Sequence, residues 1–274
     1  MVKVVLDAGH GINTPGKRSP ADEREWSFNS AVLLACAAHL KTYAGVEILR
    51  VDDATGRTDV PLGTRTSRAN AWRADIYVSI HHNANTAKWG AWGGVETFTM
   101  DHPQANPKSR ALANAVHPRI VKAMGLRDRG VKKANLHVLR ETNMPAILTE
   151  GGFMDSTTDI GALRDSAKLK AQGIAIAEGI ADYFGLKGGA STATKPKPAV
   201  PAPTQPIAEE AKFLHLNSRQ ADEIADVYEF ARSKGVFSSE QHAKDAKAGK
   251  LTVDNAIYLN TLIAAASLNG GKRV

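Results

Sequence analysis

One cysteine, few aromatic residues and no long apolar run set the first limits on this chain of 274 residues. A single thiol, Cys36, excludes intrachain disulfides and thiolate metal clusters, and its place in AVLLACAAHL reads as a buried structural group. Aromatic residues make up only 6% of the chain and its basic residues are scattered, which argues against a nucleic-acid-binding surface. No segment approaches the roughly 18 apolar residues of a membrane span. The N-terminus, MVKVVLDAGHG, has no basic region followed by an apolar stretch of the kind that directs export. The expectation is a chain made in the cytoplasm, without a membrane span, that reaches any outside target by another route.

What is present is enough hydrophobic sequence, 43%, to bury a full core, and a net charge of +7. The charge points to an anionic partner: nucleic acid, a membrane surface or an acidic polymer such as a bacterial wall. Five prolines between Pro196 and Pro206 mark residues 188–206 as a Pro/Ala/Thr-rich linker that cannot bury enough apolar surface to fold. It divides a domain at 1–187 from a small unit at 207–274. The small unit holds nine Lys/Arg and nine Asp/Glu, so the positive excess belongs to the first domain and linker. Two helical stripes, in NSRQADEIADVYEFARSKG and TVDNAIYLNTLIAAASLNG, make the small unit helical, each stripe covering the other.

In the first domain, short β-branched runs alternate with helical patterns: VKVVLD, SFNSAVLLACAAHLKTYA, VEILRV, LGTRTSRANAWRA, DIYVSI, VETFTM, a helix near Ala111 to Met124, LHVLR, AILTE and a helix near Leu169 to Phe184. That alternation predicts an α/β sheet covered on both faces. Its strands end in polar residues where open α/β sheets place ligands. His10 follows VKVVLD, His81 follows DIYVSI, and Glu150 ends AILTE; Glu25 opens a helix after NTPGKRSPADER.

Singly, each has a plain structural explanation. His10 could be a turn residue between two glycines, and Glu25 a helix-start charge favoured by the macrodipole. His81 could be a satisfied core histidine, and Glu150 half of an ion pair. Together, two imidazoles and a carboxylate able to bind zinc, with a second carboxylate able to move a proton, are the parts of a one-zinc hydrolase that aims activated water at an amide or ester. Glu23 competes with Glu25 for the carboxylate ligand. His82, on the opposite side of its strand, reads as a supporting residue. Trp89 and Trp92 could wall a cleft or tuck against their own domain. Arg50, Arg65, Arg68, Lys132 and Lys133 could meet substrate carboxylates, although solvated or ion-paired surfaces are the simpler reading.

LDAGHG, EWSFN, LGTRTSRAN, ADIYVSIHHN and PAILTEGGF, in that order over about residues 2–185, resemble the zinc-dependent N-acetylmuramoyl-L-alanine amidases of the Amidase_3 type, phage endolysins among them. The resemblance implies a mixed, mainly parallel sheet flanked by helices. It implies that His10, Glu25 and His81 bind one zinc ion and that Glu150 is the catalytic carboxylate; the four-residue spacing from Glu25 to Asn29 selects Glu25 over Glu23. Departures at Ala8, Ile12 and His82 touch none of these four. The implied substrate is bacterial peptidoglycan, cut between the lactyl group of N-acetylmuramic acid and the L-alanine of the stem peptide. Without an export signal, the enzyme would wait in the cytoplasm for lysis to release it. Other readings of the same residues are a zinc peptidase or aminoacylase, or a non-enzymatic protein that binds wall polymers. The small domain would bind cell wall or self-associate.

Overall fold

A computed structural model describes residues 1–102 and 106–188. The expected linker from residue 189 onward and the small helical domain at 207–274 lie outside the described residues. In chain order the elements are β1 (Val2–Ala8), α1 (Glu25–Leu40), β2 (Val46–Arg50), α2 (Leu62–Ala71), β3 (Ile76–Asn83), β4 (Val95–Met100), α3 (Pro107–Met124), β5 (Asp128–Ala134), α4 (His137–Arg140), β6 (Ala146–Phe153), α5 (Ile160–Leu163) and α6 (Ser166–Phe184). The strands form one sheet in the order β2-β1-β3-β6-β4-β5. Every neighbouring pair is parallel except β4 and β6. This is the mixed, mainly parallel sheet flanked by helices that the family resemblance implies.

Side-chain alternation along the central strands builds two cores. Val4, Leu6, Ile76, Val78, Ile80 and Ile147 face α1, α3 and α6. Val5, Tyr77, Ala146 and Leu148 face the other way, toward Ala69 of α2 and Val138 and Leu139 of α4. Cys36 is fully buried in the first core, where loss of solvent pushes its thiol pKa up, so it is packing rather than chemistry.

Several boundaries differ from the sequence expectation. LHVLR, counted among the short runs, is a helical turn, and the sixth strand comes instead from DRGVKKA. That strand sits at the sheet edge beside β4 and is only partly buried, so its polar residues need no apolar alternation. Helices α3 and α6 begin earlier than their apolar stripes do. The Asn106 and Asp165 side chains accept backbone N–H bonds there and cap the first turns.

Arg65 is ion-paired, one of the simpler readings, but inside the protein rather than on a helix surface: its side chain is 1% exposed and pairs with Asp7, NH1 to Oδ1 at 2.6 Å. It also donates to the carbonyls of Val60, Ala8 and His10 at 2.7, 2.8 and 2.9 Å. Tyr77 and Ser79 hydroxyls donate to the other Asp7 oxygen at 2.8 and 3.0 Å. Removing one member of a buried pair strands the other charge. Arg65→Met is therefore expected to cost roughly 3–5 kcal/mol of folding free energy. Urea unfolding should show a lower midpoint at unchanged slope; a midpoint equal to wild type would contradict this account.

Candidate active site

Three loops and strand ends converge at one end of the sheet. His10 leaves β1 in a left-handed backbone conformation, φ 66°, unusual for a residue other than glycine and typical of a site whose surroundings impose it. Glu25 is the first residue of α1, and His81 lies at the end of β3 opposite Glu150 of β6. Glu25 is 2% exposed and stands between the imidazoles, with Oε1 2.9 Å from His81 Nδ1 and Oε2 3.3 Å from His10 Nε2. The rings meet edge to face with centroids 4.9 Å apart. One ligand atom from each of His10, Glu25 and His81 falls within 4.8 Å of the others.

The electrostatics of the two carboxylates diverge. Burial works to raise the Glu25 pKa, but bonds and charge from His10 and His81 outweigh it and hold the group far below the carboxylate range. Burial lowers the His81 pKa, and Glu25 more than reverses that. Glu150 is pushed up to about 8, by burial first and then by Glu25 and Glu96, with His81 opposing. Its Oε2 is buried without a hydrogen-bond partner. A buried polar atom in that condition calls for a water, ion or ligand.

A supporting layer fixes these groups. Asn29, one helical turn after Glu25, donates from Nδ2 to Glu25 Oε1 at 3.3 Å and to the Gly9 carbonyl at 3.1 Å. Its oxygen faces His82 Nδ1 at 2.8 Å, so that nitrogen carries the proton. Burial lowers the His82 pKa to about 4, which keeps the ring neutral and makes Nε2 an acceptor. Gln172 lies 3.2 Å from Nε2, and turning its amide over gives the otherwise unpartnered Gln172 Nε2 that acceptor. His82 is thus a support for Asn29, as its position on the strand suggested. Asn29 itself was visible only as a spacing, and Gln172 gave no sequence signal.

Glycine is required at two points. A Cβ on Gly9 would stand 2.0 Å from His81 Cε1. Gly152 adopts φ 137° where the β3–β6 register shifts between His81 and Asn83, a bulge just beyond Glu150 after which pairing resumes at Asn83 and Phe153.

Other expected site residues fall elsewhere. Glu23 pairs with Arg164 and Ser19 rather than with the imidazoles. Arg50 is bound to Asp52 and Ser30, Arg68 reaches the Val51 carbonyl, and Lys132 pairs with Glu96. Trp92 donates to Asp155 of the loop after β6, whereas Trp89 is 42% exposed with the Arg164 guanidinium over its ring. A cavity of about 250 Å³ opens beside His10 and His81, walled by Asp59, Val60, Pro61 and Leu62.

A His, Glu, His set of ligand type around a buried glutamate, with an acid at the adjoining strand end of an α/β sheet, defines a hydrolase-like centre able to hold one divalent ion. Comparison with known proteins makes the class specific. Residues 4–182 match the family model Amidase_3, N-acetylmuramoyl-L-alanine amidase. The amidase CwlM of Bacillus licheniformis is 37% identical over 198 residues, covering 71% of this chain and 74% of that one. The endolysin of Bacillus phage SPP1 is 35% identical over 212 residues, 73% of each. Among solved structures, the catalytic domain of CwlV, an N-acetylmuramoyl-L-alanine amidase from Bacillus (Paenibacillus) polymyxa, superposes with a TM-score of 0.62 at 33% identity, covering 68% of this chain and 100% of that one. The chain belongs to the Amidase_3 family of N-acetylmuramoyl-L-alanine amidases and is a peptidoglycan hydrolase.

Gly9→Ala is expected to displace the His81 ring and weaken zinc binding by at least about tenfold. Glu23→Gln should leave it unchanged. Calorimetric titration of both variants with Zn²⁺ checks this, and equal affinities in the two would overturn it.

Proposed function

We propose that this amidase works with one zinc ion held by His10, Glu25 and His81, and that Glu150 moves the proton. The observation that carries the reading is the convergence of buried Glu25 and two partly buried imidazoles beside a carboxylate whose Oε2 has no hydrogen-bond partner among the described residues. Two imidazoles and one carboxylate suit zinc and leave a coordination position free. When bound, zinc supplies a Lewis acid and a water whose pKa falls to about 7.

The remaining work belongs to the chain. Asn29 and the His82 backbone N–H bond to Glu25 Oε1 and fix its orientation. Glu150 takes a proton from the attacking water at Oε2 and returns it to the nitrogen of the departing L-alanine, because an amide leaves only as a protonated amine. In this reading the muramic lactyl group takes the cavity beside His10, and the peptide leaves past Glu150 on the side away from the imidazoles.

Similarity to an endolysin supports release to the wall after host lysis. Among the described residues no helix is long and apolar enough to cross a membrane. The Pro-rich sequence at 188–206 supports a tethered role for residues 207–274, wall binding or self-association.

Glu150→Gln should retain stoichiometric zinc by elemental analysis yet lose at least about a thousandfold in turnover, in the range of removed acid–base catalysis. Wild-type-like clearing of cell walls by this variant sinks the assignment. Chelation should abolish release of free muramic lactyl ends from peptidoglycan, read by mass spectrometry, and added Zn²⁺ should restore it. Activity that survives complete removal of metal would contradict the metal-dependent reading.

A further inference from the structure

A second polar cluster sits one strand beyond Glu150. The register places His81 opposite Glu150 and Glu150 opposite Glu96, so the three form a row across β3, β6 and β4 with side chains on one face. Glu96 is 4% exposed inside a strand with no other charged residue. Its Oε1 accepts from Asn83 at 2.8 Å, while Oε2 accepts from both Arg129 Nε at 2.6 Å and Lys132 Nζ at 2.5 Å. One carboxylate against two cations leaves one positive charge uncompensated. Arg129 and Lys132 remain 27% and 38% exposed, so a ligand can reach them.

The cations are also preorganised. The Arg129 guanidinium packs 4.9 Å from the centroid of the Phe153 ring, and its NH1 reaches the Gly93 carbonyl at 3.4 Å. Among the described residues its NH2 has no protein partner, and two of the three Lys132 ammonium protons are free for a ligand. An arginine and a lysine steadied by one buried acid present charge-assisted donors without the entropic cost of ordering them on binding.

Position identifies the ligand. In the proposed mechanism Glu150 protonates the departing nitrogen, and with the lactyl side in the cavity beside His10 the leaving peptide would extend from Glu150 away from the imidazoles, toward β4 and β5. With strands about 4.8 Å apart, β5 lies about 10 Å beyond Glu150, a reach of two to three residues of extended chain. We propose that Arg129 and Lys132, braced by Glu96, form an anion subsite that binds a carboxylate on the second or third residue of the leaving stem peptide. The subsite rests on the amidase reading above and adds to it a preference for peptides with free carboxylates over amidated ones. A bracing role limited to the β4–β5 edge would make no such distinction.

The test uses the full-length zinc enzyme and two synthetic N-acetylmuramoyl peptides. They differ only in carrying free carboxylates or carboxamides on the second and third residues. Arg129→Gln and Lys132→Gln should each lower kcat/KM on the carboxylate peptide by about tenfold, mostly through KM, the order expected for one hydrogen bond to a charged group. On the carboxamide peptide KM should match wild type, and any loss should fall on kcat alone, because Glu96 beside Glu150 is then less compensated. Equal losses on both peptides, or no loss on either, would overturn the subsite. Lys132 is the more exposed of the pair, so its variant serves if Arg129→Gln does not fold. Wild-type cleavage of the carboxamide peptide reports the amidase reading separately: absence of any cleavage by wild type would fail that reading, whereas the variant-to-wild-type ratio addresses the subsite alone.

Discussion

The Arg65 guanidinium, wholly inside the protein, ties the loop that bears His10 to the body of the sheet. Its partners include the carbonyls of Ala8 and His10 and the carboxylates of Asp7 and Asp59, so one side chain spans β1, the loop after it and the segment that enters α2. A residue held at positive φ costs on the order of 1–3 kcal/mol and persists only where its neighbours impose it. Arg65 is that imposition for His10. The ion pair contributes less as net stability than as geometry, because burying two charges offsets much of their attraction. What it secures is the placement of the His10 ring against Glu25.

Much of this was legible in the chain because the first five elements obey simple periodicity. VKVVLD and DIYVSI are buried on both faces and read as near-continuous apolar runs, the signature of central parallel strands. Reading failed at the sheet margin. DRGVKKA pairs on one edge only and carries no apolar alternation, and LHVLR is too short for its period to separate a strand from a helical turn. The early starts of α3 and α6 depend on Asn106 and Asp165 as caps, a local bonding choice that apolar stripes do not encode.

The site divides along the same line. His10, His81 and Glu150 were visible because parallel strands deliver their last residues to the ligand-binding end of the sheet. Glu96 and Arg129 escaped that rule, since β4 runs antiparallel to β6 and β5 follows β4, so both strands bring their first residues to the same end. A search for acids at the ends of strands therefore passes over VETFTM, although a glutamate in such a run is costly unless paired. Arg65 was misplaced for a related reason. The LGTRTSRAN pattern shows a helix, but nothing in it tells that Asp7, 58 residues earlier, needs a cation.

Hydrolysis of an amide asks two neighbouring carboxylates for opposite behaviour, and their surroundings supply it. Glu25 receives two imidazoles, an asparagine amide and a backbone N–H, all of which favour the ionised form over the cost of burial. Glu150, one strand over, is buried with an oxygen that finds no donor, and it feels the charges of Glu25 on one side and Glu96 on the other. Arg129 and Lys132 neutralise Glu96 from its far side. Without them, two carboxylates in adjacent strands would repel directly across the pair. The same two cations thus let an acid-rich row exist in a buried sheet.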